Sequence, residues 1–152
     1  MSRLRLPAVL LGAIATTALA TEEDSQTTAA DAAVISVSVS NVESAEGTID
    51  CALFSSETGF PMDASEAVGI RHDARPGTVE CRFENLSAGT YAVAVSHDEN
   101  GNGKTDTNFV GIPKESWGVS NNVRPKMRAP KFDEAAFALK AGQVLAIEVK
   151  IK

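Results

Sequence analysis

Between His97 and Asp106 the chain reads HDENGNGKTD, and its polar, chemistry-bearing side chains are densest there. With Asp98 as position 1, Asn100 falls at 3, Asn102 at 5, Gly103 at 6, Lys104 at 7 and Asp106 at 9. This is the first part of an EF-hand-like calcium loop. Alternate residues of such a loop turn their oxygens inward, position 7 offers its backbone carbonyl, and the glycine permits the sharp turn. Position 12, which should bring a bidentate carboxylate, is Phe109. Glu99 and Glu115 are the carboxylates nearby that could complete the shell. The same sequence has a metal-free reading. Asn-Gly repeats make turns through side-chain hydrogen bonds and left-handed residues.

Around this loop stand residues suited to holding a ligand. His97 precedes it, beside Asp98. Trp117 is the single tryptophan, either an aromatic platform for a sugar or peptide, or a plug for the long, irregular connection expected from Gly111 to Asn122. Asn121 and Asn122 offer amide donors to a ligand, or brace that connection. Arg124, Lys126, Arg128 and Lys131 form a basic run on an acidic chain, suited to anionic headgroups or polysaccharide, or simply solvated. His72 and His97 sit in separate contexts and do not make a zinc site. Catalysis has little support: there is no nucleophile-elbow, phosphate-loop or zinc-protease motif. A hydrolase reading would rest on His97, Asp98 and Glu99.

The elements that carry these residues alternate like strands. Ile35, Val37 and Val39 face one way and Ser36, Ser38 and Ser40 the other. Ile49, Cys51 and Leu53 form a second set, and Val79, Cys81 and Phe83 a third. Tyr91, Val93 and Val95 lead into the loop, with His97 in phase. Leu145, Ile147, Val149 and Ile151 close the chain. Alternation marks half-buried strands of antiparallel sheets. Two weaker strands are expected near Ala67–His72 and Ala136–Lys140. Asn85–Gly89 and Ala141-Gly142 read as hairpin turns, and Asp133–Ala136 as one helical turn capped by Asp133. About seven short strands with almost no helix predict an all-β fold, a single antiparallel β-sandwich. Cys51 and Cys81 each lie on an inward face, so a Cys51–Cys81 disulfide is expected, closing a loop of about 30 residues.

Residues 1–20 carry a basic start, an apolar run from Leu6 to Leu19 and a small-residue cleavage site at Ala18-Leu19-Ala20, the three parts of a signal peptide. Residues 21–33 are small, polar and acidic, and read as a flexible linker. Residues 34–152 form the domain. No further stretch reaches the ~18 apolar residues of a transmembrane segment, so the expected location is periplasmic or secreted. The 152-residue chain has a formal net charge of -6, which argues against non-specific nucleic-acid binding. Its hydrophobic content of 43% fits one globular domain rather than a disordered chain.

The run HDENGNGKTDTNFVGIPKESWGVSNN, with Tyr91 before it and Phe132 and Phe137 after it, resembles the DUF2141 family of uncharacterised exported bacterial proteins. The resemblance covers most of 34–152. Leu86-Ser87-Ala88-Gly89-Thr90-Tyr91 is similar to the turn-and-tyrosine element of transthyretin-like and carboxypeptidase-regulatory-like sandwiches, which implies a Greek-key, prealbumin-like arrangement. Neither resemblance implies an activity. The expected function is a non-enzymatic exported binding module with a calcium-organised loop. Its partner would be a carbohydrate, a peptide or an envelope protein. The alternative is a structural or envelope-assembly module with a metal-free loop.

Overall fold

The computed structural model describes residues 31–104, 106–109 and 113–152. The expected signal peptide and most of the expected linker lie outside the described residues. Eight strands are described: β1 (Ala33–Val42), β2 (Thr48–Phe54), β3 (Val68–Asp73), β4 (Gly77–Leu86), β5 (Gly89–Asp98), β6 (Trp117–Val119), β7 (Phe137–Leu139) and β8 (Val144–Lys150). One short helix, α1 (Phe132–Ala135), precedes β7. The expected linker reached residue 33, but Ala33 already opens β1 and is fully buried.

The strands form two sheets, one ordered β4-β1-β8 and one ordered β3-β2-β5-β6, with β7 pairing a different stretch of β5. The alternation explains the layering. Ile35, Val37 and Val39 of β1, Val79, Cys81 and Phe83 of β4, and Ile49, Cys51, Leu53, Val93 and Val95 of the larger sheet meet in one core. Branched side chains suit such pleated, half-buried surfaces. The outer face of the smaller sheet is polar, as half-solvated sheets require. There Ser36 donates to Glu80, and Ser40 donates to Glu148 at 2.8 Å. The Cys51–Cys81 disulfide joins β2 of one sheet to β4 of the other, with its Cα atoms 6.5 Å apart.

Four expectations need correction. The sandwich is not wholly antiparallel: β1 and β8 run parallel, with Val37 beside Ile147. The reason lies at Ala141-Gly142. That turn does not close a hairpin, because β7 belongs with β5 and β8 with β1; it carries the chain from one sheet to the other. Asp133 is not the cap of α1 but lies in its first turn, and Lys131 occupies the cap position. Glu134 accepts the Lys131 backbone N–H at 2.9 Å, and the Arg128 guanidinium, by hydrogen bonding, holds the Glu134 carboxyl down to about 2. Lastly, the connection from Gly111 to Asn122 is not irregular throughout, since β6 pairs with Ala94–Ser96 of β5.

β6 also stitches the two sheets together at one corner. Trp117 and Lys152 exchange a pair of backbone hydrogen bonds of 3.2 Å. The Asn122 side chain donates to the Glu148 carbonyl at 3.3 Å and accepts the Lys150 N–H at 2.8 Å, so it acts as a short piece of strand. A Cβ on Gly118 would lie 2.6 Å from the Lys150 carbonyl oxygen, which is why a residue without a side chain stands there.

Candidate functional site: a hydrogen-bonded loop at the end of a trough

β5 delivers His97 and Asp98 to one end of the larger sheet, each only 1% exposed. His97 Nε2 lies 2.8 Å from the Glu46 carbonyl oxygen. A carbonyl only accepts, so Nε2 carries the hydrogen. His97 Nδ1 is 3.7 Å from a Glu99 carboxylate oxygen. The backbone of Gly47 lies against Asp98 so closely that a Cβ on Gly47 would meet the Asp98 carbonyl oxygen at 1.9 Å.

The Asp98 carboxylate then organises the loop. Its two oxygens accept the N–H groups of Asn102 (3.1 Å) and Gly103 (2.7 Å). Asn100 Oδ1 accepts the Asn102 N–H at 3.0 Å, and Asn102 Oδ1 accepts the Lys104 N–H at 2.8 Å. These are side-chain-closed turns, with Gly101 and Gly103 at φ +69° and +74°. The two asparagine amides donate to Asp106, at 2.6 Å from Asn100 and 3.1 Å from Asn102. Glu115, 9% exposed, returns to this loop from further along the chain. Its carboxylate accepts the N–H groups of Glu99 (3.3 Å) and Asp106 (3.0 Å). Phe109 is 98% exposed and takes no part. Among the described residues, no three His, Cys, Asp or Glu side chains converge on a point where a metal ion would sit.

The other expected ligand contacts divide. Asn121 donates to the carbonyls of Glu134 (3.2 Å) and Ala136 (3.1 Å), and Asn122 is taken up by β8. Both have positive φ, 59° and 53°, so they serve as turn and brace. Their neighbour Ser120 pins the same region: it accepts the Val93 N–H at 2.9 Å and donates to the Ala135 carbonyl at 2.6 Å. Trp117, in contrast, faces outward beside Ser96. The Arg124 guanidinium lies over its ring, 4.2 Å from the centroid, and donates to its carbonyl. Cation–π stacking of this kind holds both groups in place. Partial burial lowers the Arg124 pKa from its ordinary value, and guanidinium stays charged regardless.

Trp117 lines a trough of about 1610 Å³ over the outer face of the larger sheet. Its floor is made of small side chains, Ala52, Gly69, Ala94 and Ser96. One end of that face is closed by a second apolar cluster, against which Ala94 and Trp117 also pack. There Phe54 meets Phe60 edge-on at 5.2 Å, and Phe60 meets Phe132 at 5.9 Å. Beyond that cluster the face carries only these small residues and a paired arginine and aspartate. One bank carries Pro61 and Met62, the other Arg124 to Pro130, and Gly103 and Lys104 bring the loop to the rim. Across the floor, Arg71 donates twice to Asp50, at 2.7 and 2.6 Å, and this pairing raises the Arg71 pKa. The loop and the basic run, far apart in sequence, thus border one depression. Sequence reading placed Trp117 and the basic run separately. It missed Met62, Met127 and the floor of small residues, and only the shared phase of Ala52 and Ala94 hinted at the floor.

Fold and site together define an all-β, two-sheet domain with an open trough on its larger sheet and a side-chain-locked loop at the rim. Residues 37–147 match the family described as "Uncharacterized protein conserved in bacteria (DUF2141)", and the chain belongs to that family. No curated protein and no solved structure matches the chain.

Proposed function

We propose that this chain is a non-enzymatic binding module, exported to the periplasm or beyond, whose ligand lies in the trough over the larger sheet. A Greek-key, prealbumin-like arrangement is the framework we assign to it. The observation that carries the proposal is the contrast between the two outer faces. The smaller sheet presents serines and charged residues to water, whereas the larger presents the small residues Ala52, Gly69, Ala94 and Ser96, with its Arg71 and Asp50 paired to each other. A solvent-facing sheet gains nothing from small side chains there, but a sheet that seats a ligand does. A hydrolase has weaker support, because His97 and Asp98 are buried and engaged with backbone partners.

Trp117 is the single tryptophan and lines the trough, so its emission reports occupancy. Titrating panels of peptides and oligosaccharides should give a saturable emission change with at least one of them. Ala94→Phe, which raises the floor, should abolish that change while the protein still melts cooperatively. Panels that leave emission flat would sink the trough reading, as would a response that Ala94→Phe keeps.

A second reading concerns the loop, and Glu115 favours it. Position 12 of the calcium pattern is empty of charge, yet Glu115 arrives at the loop from outside the pattern. The donors Asp98, Asn100, Asn102, the Lys104 carbonyl, Asp106 and Glu115 are all hard oxygens, the kind calcium takes. We propose that calcium organises the loop by turning the two asparagine oxygens toward itself, in place of the amide contacts to Asp106. Saturating calcium, relative to chelator, should then raise Tm by several degrees, since filling a site to 100 times Kd stabilises by about 2.7 kcal/mol. Asp106→Ala should lose the shift. An unchanged Tm at millimolar calcium would leave the hydrogen-bonded loop, and the structural-module alternative, in its place.

A further inference from the structure

We propose that the ligand of the trough is an acidic, amphipathic peptide segment of a partner protein, an inference that rests on the trough reading above. Charge supplies the first argument. The chain carries a net charge of -6, but the trough is lined by six cations and two carboxylates. Both carboxylates are engaged. Asp50 is held by Arg71, and Asp63 accepts the Ser65 N–H at 3.0 Å. Of the cations, Arg71 and Arg128 are paired, with Asp50 and Glu134. Lys104, Arg124, Lys126 and Lys152 have no carboxylate partner among the described residues. A positive depression on a negative protein attracts an anion and turns away other acidic surfaces.

The banks also carry apolar side chains. Met62 is 56% exposed and Met127 95% exposed, on opposite banks. Exposed methionines bordering a depression form an adaptable apolar surface. Together with Trp117 and Arg124 they make the composition enriched at protein–protein contacts. Small floor residues leave depth for a ligand's apolar side chains. The trough lies over the face of the larger sheet and not along the outer edge of β3, so a peptide here would lie on side chains and not add a strand. A helix with one acidic and one apolar face fits these requirements. A flat bilayer does not reach a recessed floor, and a polysaccharide makes no use of two methionines.

The test uses a fluorescent amphipathic peptide of glutamate, alanine and leucine, about five helical turns long. A lysine-for-glutamate version, a heparin oligosaccharide and phosphatidylglycerol vesicles serve as comparators, with residues 21–152 as the protein. The acidic peptide should bind saturably and shift Trp117 emission, and the lysine version should not. Lys126→Glu combined with Lys104→Glu should weaken binding about tenfold or more, and raising salt from about 0.05 to 0.3 M should weaken it as well. Met62→Ser with Met127→Ser, both on exposed side chains, should weaken it severalfold without lowering Tm. If heparin or vesicles bind in a manner blocked by Ala94→Phe and the peptide does not, the trough stands and the peptide assignment falls. Peptide binding that ignores the methionine pair also overturns it. If no probe responds to Ala94→Phe, trough and peptide fall together.

Discussion

Replacing Cys51 and Cys81 together by alanine is expected to destabilise the domain by roughly 3–4 kcal/mol, lowering Tm by about 10 °C or more. The bridge closes a separation of 30 residues and joins the facing sheets through side chains that are both within 2% of full burial. Its removal acts twice. The unfolded chain regains loop freedom, and the core loses sulfur contacts that two methyl groups do not replace. Chemical denaturation of the double variant beside the oxidised protein measures the sum. A loss below about 1 kcal/mol would mean that the sheets hold together by side-chain packing alone. Serine in place of alanine should be worse still, since two hydroxyls would enter an apolar core.

Gly47→Ala is expected to be the most damaging single glycine substitution, at about 3 kcal/mol. Two costs coincide. The residue sits at φ +69°, where a side chain is strained by about 1–2 kcal/mol, and its Cβ would lie 1.9 Å from the Asp98 carbonyl oxygen. Backbone cannot give way there cheaply, so the β1–β2 loop must move. That loop supplies the Glu46 carbonyl to His97 and the Gly47 carbonyl to the Ala74 N–H at 3.1 Å. Hydrogen exchange should therefore rise at His97, Asp98 and Asn102 as well as near residue 47. Gly77→Ala is the control: φ is +103° but nothing lies within 4 Å, so it should show the conformational cost alone. Equal losses in the two variants would refute the close-contact account.

The sheets were legible because the alternation is strong where one face is buried. All seven expected strands are present, and β1 illustrates why: Ser36, Ser38 and Ser40 against Ile35, Val37 and Val39 admit one orientation. The disulfide followed from phase in the same way. β6 was not legible. It is three residues long, and Trp117-Gly118-Val119 has no period to read; it is a strand because β5 and Lys152 offer it partners. Nor was the parallel pairing of β1 and β8, since Ala141-Gly142 looks alike whether the chain reverses within a sheet or leaves it.

At the site, the local turn chemistry of Asp98 to Asp106 was readable, and Glu115 was a candidate for the loop on charge alone. The fate of Asn121 and Asn122 was not, because an amide that braces a strand and one that meets a ligand are the same residue in sequence. The trough was invisible for a different reason. It is defined by what Ala52, Gly69 and Ala94 lack, and by two banks, Met62 and Met127, brought together only by the fold.

The parallel pairing of the first and last strands also bears on how the domain comes to be folded. β1 is the middle strand of its sheet, and its register with β8 joins residues more than a hundred positions apart, Val37 with Ile147 for one. Contacts of such high order close late and slowly. During synthesis β1 has β4 on one side only and an open edge on the other, until β8 emerges. The smaller sheet is therefore completed last, and a chain halted before Val144 is left with a long, apolar, unpaired edge of the kind that invites association with its neighbours.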